Sequence, residues 1–347
     1  MLLFSLILEC NTNIFNYVSA KFAIMVNRIE SFASISRIEF ILPNLGSLIM
    51  GLAWGASPPL SLIDGLLLVA LSFSVINLSS LIGAQANALY DYELDLKDDR
   101  KKELVKALDS IGHNKVKVVL VIEFAVTLVL VLLSAFVYQK LLLLPLWLVG
   151  IFLGIFYSAP PLRLKARSWI APIAQMVVLA VCPVLFAFLI FTFEINLLFL
   201  LALAGLVLTV YGVIIPTEIR DYFGDKAMNI RTFTVRLGLS RSALLGIVLL
   251  SVGSLFTGLA LLLNWVMSQQ LWLGVFLLGI PLAVLFVLGK FRQLYSLSKS
   301  FEVSNENKSN LREKIVDVSS DNPKWIMMVT QTYSILSILL LVSKFIF

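Results

Sequence analysis

The residues of this sequence best suited to chemistry are acidic and recur at a spacing of four. Asn87, Asp91 and Asp95 form one set, and Asp221 and Asp225 form another. Because residues four apart share a face of a helix, each set predicts a row of oxygen-bearing side chains on one helical face. Corresponding aspartates of the two sets are 130 residues apart. That equal separation is consistent with an internal duplication.

Carboxylates in such pairs, with no histidine or cysteine beside them, predict a site for a hard cation such as Mg²⁺. A Mg²⁺ ion that the protein does not fully enclose also binds water and the phosphate oxygens of a substrate. Basic residues follow each set: Arg100 comes after the first, and Lys226 and Arg231 come after the second. The pattern therefore predicts a metal and a phosphorylated ligand that bind together and neutralise the carboxylates.

The rest of the chain indicates that these residues are positioned by membrane helices. The chain has 347 residues, of which 59% are hydrophobic and only 14% charged, whereas about a quarter of the residues of soluble domains are charged. The uncharged stretches predict an all-α integral membrane protein with about nine transmembrane helices, since one span needs about 20 apolar residues. They cover residues 40–56, 65–90, 118–138, 141–162, 168–193, 195–217, two helices within 242–289 that separate near 264–270, and 325–343.

The basic residues predict the topology of these helices. Of the 27 Lys and Arg residues, 25 lie in the first 40 residues or in the loops after alternate helices. Only Lys140 and Lys344 lie on the other side. By the positive-inside rule, the N-terminus and those loops are predicted to be cytoplasmic. The helix ends that carry the aspartates would then face the cytoplasm as well.

We divide the chain into an N-terminal cytoplasmic or interfacial segment, residues 1–39, and a membrane domain, residues 40–347. Within that domain, residues 291–321 are rich in Ser, Asn, Lys and Glu and predict a solvated loop. No removable signal is expected, because the apolar start of the chain lacks a positive region and a cleavage site. Cys10 and Cys182 are far apart and indicate neither a disulfide framework nor a metal cluster. Five tryptophans are expected to form an interfacial belt: Trp54, Trp147, Trp169, Trp265 and Trp325.

The two acidic segments and their placement resemble the UbiA superfamily of intramembrane prenyltransferases. The resemblance extends over residues 37–347 and depends most on Asn87–Asp95, Tyr157–Lys165 and Asp221–Gly238. It implies a helical bundle around a central cavity that opens sideways to the membrane lipid. It also implies that Mg²⁺ and a long-chain prenyl diphosphate bind at the acidic segments, and that a lipophilic acceptor attacks the prenyl carbon.

The same resemblance implies the site residues, position by position. Catalytic roles fall to Asp91, Asp95, Asp221, Asp225, Lys165 and Tyr157. The implied metal ligands are Asn87 and the same four aspartates. The implied contacts to the prenyl diphosphate are Asn87, Arg100, Arg163, Lys165, Lys226 and Arg231.

The sequence departs from the family pattern at three places. Many members have Asp at the position of Ala88 and an Arg-Pro stretch in place of Lys101–Leu104. Some members also have a lysine where Pro161 stands. Either Lys165 or Arg163 would then take the place of that lysine.

Loss of diphosphate from an allylic carbon leaves negative charge on the leaving oxygens and positive charge on the prenyl chain. The main task of the protein is therefore electrostatic. Tyr157, Phe156 or Tyr211 could place a ring face against the cation. Glu93 and Glu218 lie beside the motifs and are the candidate bases for deprotonating the acceptor.

The resemblance leaves the acceptor open among an aromatic quinone precursor, a prenylated glycerol phosphate and a tetrapyrrole alcohol. The alternative from another class is a polytopic secondary transporter, which would also have hydrophobic repeats and acidic residues in helices. A transporter site would lie near the middle of the membrane, whereas these aspartates are predicted at helix ends. Glu123, inside the third predicted helix, either has a functional role, extends its carboxylate towards the interface, or pairs with a basic loop residue. No basic run with interleaved aromatics indicates a nucleic-acid partner.

Overall fold

The computed structural model of the protein describes residues 26–57, 61–304 and 307–346. Every regular element within these ranges is a helix. A π-helical turn covers Val177–Val181, and a 3₁₀ segment covers Leu271–Leu278. In chain order the helices are α1 (residues 26–36), α2 (Ile41–Gly55), α3 (Leu62–Tyr90), α4 (Tyr92–Asp95), α5 (Lys102–Ile111), α6 (His113–Val137), α7 (Leu143–Phe156), α8 (Ile170–Met176), α9 (Cys182–Leu189), α10 (Leu197–Ala227), α11 (Phe233–Leu237), α12 (Leu239–Met267), α13 (Gly279–Val303), α14 (Lys308–Ser320) and α15 (Asn322–Ile346).

The predicted multi-pass, all-helical architecture is confirmed. Eight helical stretches of the described residues are long and apolar enough to cross a membrane, and α7 is a shorter apolar helix. Each predicted span corresponds to one of these stretches or to α7. The predicted break near residues 264–270 falls where α12 ends, at Met267.

Small residues allow α10 and α12 to cross closely. A Cβ atom added to Gly253 would lie 2.5 Å from Thr209 Oγ1 and 2.6 Å from the carbonyl oxygen of Gly205, so a larger residue at 253 would have to move α10 away. Close packing of small residues is a main source of helix association in a bilayer, where lipid is as apolar as the side chains. The crossing fixes the position of α10, which carries the second acidic set.

The helix α1 packs against α3, α5 and α6 through Ile35, which is fully buried. A polar chain supports this contact. Gln85 Nε2 donates to Ser36 Oγ and to Glu123 Oε1, at 3.0 Å in both cases. Glu123 therefore has an amide partner rather than the basic partner considered above. The predictions for residues 1–25, including Cys10 and the lack of a signal, lie outside the described residues.

The structure differs from the solvated loop predicted over residues 291–321. Helix α13 continues to Val303, and α14 covers Lys308–Ser320. The few apolar residues of this segment recur at helical spacing, so that Phe291, Leu294 and Ile315 are buried against the neighbouring helices. The loop prediction was wrong because it used the average composition of the segment and not the spacing of its apolar residues, which is that of two amphipathic helices.

The tryptophans also differ from the predicted interfacial belt. Of the five tryptophans predicted to form the belt, only Trp169 is exposed, with 58% of its surface accessible. The other four are buried inside the bundle: Trp54, Trp147, Trp265 and Trp325. A position near a helix end does not determine the direction in which a ring points, because that direction depends on the neighbouring helices.

Candidate active site

The first acidic set lies across the junction of α3 and α4. Helix α3 ends at Tyr90 and α4 begins at Tyr92, with Asp91 between them. The backbone N–H of Asp91 still donates to Asn87 O, and that of Asp95 donates to Asp91 O, both at 2.9 Å. The predicted fourfold alignment is therefore retained through the junction. Asp91 and Asp95 are both buried.

The loop between α7 and α8 brings cations to Asp91. The backbone N–H of Lys165 donates to Tyr157 O at 3.0 Å, which turns the loop back on itself. Lys165 Nζ then lies 2.5 Å from Asp91 Oδ1, and the Arg163 guanidinium lies 3.7 Å from the same oxygen. Ser158 completes the surroundings, because its hydroxyl donates to Asp91 Oδ2 at 3.2 Å.

Asp95 has its own cation. Lys101 Nζ donates to Asp95 Oδ1 at 2.7 Å, whereas Asp95 Oδ2 is buried without a hydrogen-bond partner. Burial raises the pKa of Asp95, and Lys101 partly offsets that rise. Burial lowers the pKa of Lys101, but Asp221 and Asp95 outweigh it, so the net direction for Lys101 is upward. The Lys101 ammonium is therefore held in its charged form between the two acidic sets.

The second acidic set lies within the continuous helix α10. Arg220 Nε lies 3.3 Å from Asp221 Oδ1. A guanidinium links this helix to the first set, because Arg100 donates to the carbonyl oxygen of Arg220 at 2.8 Å. Arg100 also pairs with Asp98 at 2.6 Å, and this hydrogen bond is the main reason that the pKa of Asp98 is lowered.

The tertiary structure brings Asp95 of the first acidic set and both aspartates of the second set to one small cleft. Asp91 does not line the cleft but contacts Lys165, which does. The lining residues of the cleft are Leu94, Asp95, Asp98, Lys101, Lys165, Asp221, Gly224, Asp225 and Met228. Among the described residues, no three acidic, histidine or cysteine side chains converge closely enough to make a ready-formed metal cage. Two ammonium groups, those of Lys101 and Lys165, lie in the cleft beside the carboxylates instead. The cleft is therefore an open arrangement of opposite charges.

A larger cavity of about 320 Å³ adjoins this end of the bundle. Helices α2, α3, α7, α10 and α15 and the α8–α9 segment contribute its mostly apolar walls. Asn87 and Tyr157 line it where it approaches the cleft. Asn87 Nδ2 donates to Ser158 Oγ at 2.7 Å, and Ser158 in turn donates to Asp91. Asp91 contacts Lys165, which lines the cleft, so a chain of contacts from Asn87 through Ser158 and Asp91 to Lys165 connects the apolar cavity with the charged cleft.

Several predicted site residues lie elsewhere. Lys226 is exposed and donates to the Tyr222 hydroxyl at 3.1 Å, and the Arg231 side chain is exposed as well. Neither lines the described part of the cleft. Glu93 is exposed. Glu218 accepts a hydrogen bond from Thr234 Oγ1 at 2.7 Å and lines neither the cleft nor the cavity.

Sequence reasoning missed three residues that the fold brings to these spaces. Lys101 was recognised only as part of a departure from the family pattern, although its place six residues after Asp95 could have suggested a returning turn. Arg37 lines the cavity from the segment before α2. Gln175 lines it from α8. For the last two no sequence signal exists, because each is a single polar residue beside apolar ones.

The fold and the site define a multi-pass membrane protein with a charged cleft beside an apolar cavity. A model of the UbiA prenyltransferase family matches residues 44–305, which is well over half of the chain. The chain therefore belongs to the UbiA prenyltransferase family. Comparison with curated proteins finds no match.

Solved structures share this fold. A UbiA homolog from Archaeoglobus fulgidus, bound to DMAPP and Mg²⁺, is 20% identical with a TM-score of 0.57, and the alignment covers 87% of this chain and 99% of that one. The same homolog bound to GPP and Mg²⁺ is 18% identical with a TM-score of 0.54 and the same coverage. A structure of digeranylgeranylglyceryl phosphate synthase is 17% identical with a TM-score of 0.55, over 90% of this chain and 99% of that one.

Proposed function

We propose that this chain transfers a prenyl group from a long-chain prenyl diphosphate to a lipophilic acceptor, with Mg²⁺ as its cofactor. The observation that carries the proposal is the chain of contacts from Asn87 to Lys165. It connects an apolar cavity of about 320 Å³ with a cleft lined by four aspartates and two lysines. A prenyl diphosphate has the matching form, a polyanionic head on an apolar chain. The solved relatives that bind DMAPP or GPP with Mg²⁺ support the same assignment.

The donor set of the cleft fits Mg²⁺. The available ligands are carboxylate oxygens, which Mg²⁺ prefers, and Asp95 Oδ2 is buried without a partner. The carboxylates do not close into a cage, and Mg²⁺ typically keeps several waters and binds substrate phosphates. We assign the metal to Asn87, Asp91, Asp95, Asp221 and Asp225. When bound, Mg²⁺ would stabilise the charge that develops on the departing diphosphate.

Basic residues of the protein would also stabilise the negative charge on the departing diphosphate. Lys101 and Lys165 lie among the cleft residues, where their ammonium groups can donate to phosphate oxygens. Arg163 lies beside Asp91, and Arg100 connects Asp98 with the carbonyl oxygen of Arg220 on α10. We assign the diphosphate to these four residues. Lys226 is left out of the contact set because its ammonium faces Tyr222, and Arg231 because its side chain is exposed.

The cavity is assigned to the prenyl chain and the acceptor. Its apolar walls keep water away from the allylic cation, which would otherwise be hydrolysed. Tyr157 lines the cavity at the end near the cleft and is the ring that we assign to stabilising the cation. Phe156 and Tyr211 are not among its lining residues.

The acceptor and the topology complete the proposal. A quinone precursor and a prenylated glycerol phosphate both suit a cavity inside the membrane, and the likeness to digeranylgeranylglyceryl phosphate synthase favours the second. The positive-inside rule supports a cytoplasmic cleft. The transporter alternative gains no support from the structure, because the motif aspartates lie in a cleft at helix ends rather than in the middle of the spans.

The test uses the full chain in nanodiscs with radiolabelled geranylgeranyl diphosphate, Mg²⁺ and a lipid extract of the native membrane. We expect label to appear in a new lipid, whose mass identifies the acceptor. Heat-treated protein is the control for uncatalysed hydrolysis. If the protein neither binds nor consumes the diphosphate with Mg²⁺ present, the proposal is wrong. Uptake of a solute by proteoliposomes would then favour the transporter.

A further inference from the structure

We propose that Gln175 orients the acceptor, by accepting a hydrogen bond on Oε1 from the hydroxyl that attacks the prenyl carbon. The inference rests on the proposed function and assigns a positioning residue within the same site. It also restricts the acceptor to molecules whose reacting atom carries a hydrogen-bond donor.

Gln175 lies at the end of the cavity nearest the cleft. It is part of α8 and lines the cavity, and its Nε2 donates to the Tyr157 hydroxyl at 2.7 Å. The next residue along the chain from Tyr157, Ser158, connects Asn87 to Asp91 through its hydroxyl. A prenyl diphosphate with its head in the cleft would therefore place its reacting carbon near the Gln175–Tyr157 pair.

Of the two polar atoms of the Gln175 amide, Nε2 has a hydrogen-bond partner and Oε1 has none. Of the buried side-chain oxygen and nitrogen atoms on the described cavity lining, only Gln175 Oε1 has no hydrogen-bond partner. Other polar groups of the lining are paired within the protein. Thr217 Oγ1 accepts from Asn322 at 2.7 Å, and the Tyr333 hydroxyl bonds to Thr209 at 3.1 Å. An unpaired carbonyl oxygen in an apolar cavity is costly to maintain unless a ligand completes it.

The chemistry of this atom selects its ligand. A carbonyl oxygen only accepts hydrogen bonds, so its partner must bring an O–H or N–H group. The prenyl chain has no such group, and the diphosphate is held in the cleft by cations. The remaining ligand is the acceptor, whose nucleophilic hydroxyl would point its proton at Gln175 and a lone pair at the prenyl carbon.

The backbone beside Gln175 is irregular, as is common at functional sites. The π-helical turn Val177–Val181 follows Gln175 almost directly. Gln175, Val178, Leu179 and Cys182, which lie in this turn or beside it, all line the same cavity. π-helical turns carry an energetic cost and are common at functional sites.

The proposed step balances without a protein base. The acceptor oxygen forms a bond to the prenyl carbon while the bond from that carbon to the diphosphate oxygen breaks, and the diphosphate leaves with the electron pair. As the new bond forms, the hydroxyl proton leaves its hydrogen bond with Gln175 Oε1 and passes to an oxygen of the departing diphosphate. Gln175 gains and loses no proton. Glu218 is not required, in agreement with its position outside the cavity lining.

The test measures binding rather than turnover, with a C20 alcohol, geranylgeraniol, and its methyl ether as probes. The full chain in nanodiscs is used with tritiated alcohol and unlabelled competitors. We expect the unaltered protein to bind the alcohol about tenfold more tightly than the ether. Gln175→Met should bind the two equally. Gln331→Met is the matched control, because Gln331 bonds to Leu42 O outside the cavity lining and should keep the preference.

Two further measurements keep the inference falsifiable. Gln175→Leu is the second variant, and the comparison of alcohol and ether on the unaltered protein needs no variant at all. Binding of an unreactive geranylgeranyl thiolodiphosphate with Mg²⁺ should be the same in all these proteins. Equal binding of alcohol and ether by the unaltered protein, or a preference that survives in the Gln175 variants, overturns the inference. Failure of the unaltered protein to bind the thiolodiphosphate contradicts the proposed function instead.

Discussion

Lys165 Nζ lies 2.5 Å from Asp91 Oδ1, and only 4% of the Asp91 side chain is exposed. A buried carboxylate of one helix end is therefore neutralised by a lysine from a loop more than 70 residues further along the chain. Lys101 does the same for Asp95. Two lysines thus keep charges compensated in a cleft that the proposed function requires to accept a metal and a diphosphate.

Lys165→Met should impair both stability and substrate binding. It leaves the buried Asp91 carboxylate with only the more distant Arg163, and loss of one partner of a buried ion pair costs about 3 kcal/mol. A thermal unfolding series in detergent measures this change. Asp91→Asn combined with Lys165→Met should recover much of the stability, because no uncompensated charge is left, while transfer stays absent. Equal stability of Lys165→Met and the unaltered protein would show that the ion pair has no structural role.

Lys101→Met should weaken prenyl diphosphate binding by about tenfold, since a charge-assisted hydrogen bond contributes about 1.5–3 kcal/mol. Binding of the thiolodiphosphate in the presence of Mg²⁺ measures the effect. Lys106→Met is the matched control, because its side chain is 72% exposed and pairs only with Glu103 on the surface. If both variants bind equally well, Lys101 does not contact the diphosphate.

Asp91→Ala and Asp221→Ala should each abolish Mg²⁺-dependent transfer while expression in the membrane is unchanged. Asp221→Ala removes a carboxylate that lines the cleft, and Asp91→Ala removes the carboxylate that contacts Lys165, so that each variant deprives the proposed metal site of one ligand. The radiolabelled transfer assay provides the measurement. Asp317→Ala, at an exposed position on α14, should retain full activity. Full activity in either cleft variant would contradict the assignment of the metal to both sets.

Removal of divalent cations should affect ligand binding at the cleft but not ligand binding in the apolar cavity. With EDTA present, we expect transfer to stop and thiolodiphosphate binding to fall by at least tenfold, because its charge is then neutralised only by lysine and arginine. Binding of geranylgeraniol should be unaffected, since the cavity is apolar. Added Mg²⁺ should restore both losses. Transfer that persists in EDTA would exclude a role for the metal in the reaction.

Gly253→Leu should disturb the crossing of α10 and α12. The new side chain would collide with Thr209 and with the backbone of Gly205, and overpacking of this kind costs about 1–3 kcal/mol. Thermal unfolding and the transfer assay should both report the change, because α10 carries Asp221 and Asp225. Gly289→Leu is the control, since a Cβ there meets nothing within 4 Å. Similar behaviour of the two variants would show that the crossing tolerates larger residues.

Local features were predictable from the sequence. Long uncharged runs determine which segments become membrane helices, since no other arrangement satisfies their backbone in lipid. The spacing of Asn87, Asp91 and Asp95 determines their alignment, because helical hydrogen bonds connect them directly. The resemblance to the prenyltransferase superfamily depended on these same local motifs, and the family match confirmed it.

The partners of those residues were decided only by the tertiary structure. Nothing local shows that Lys165 reaches Asp91, that Gln175 reaches Tyr157, or that Lys226 faces away from the cleft. The direction of Trp265 and the helical state of residues 308–320 depend in the same way on which helices pack beside them. Hydrophobic runs and motif spacing act within one helix, whereas these contacts depend on the angles and depths at which separate helices cross, and those are set by side-chain packing over the whole bundle.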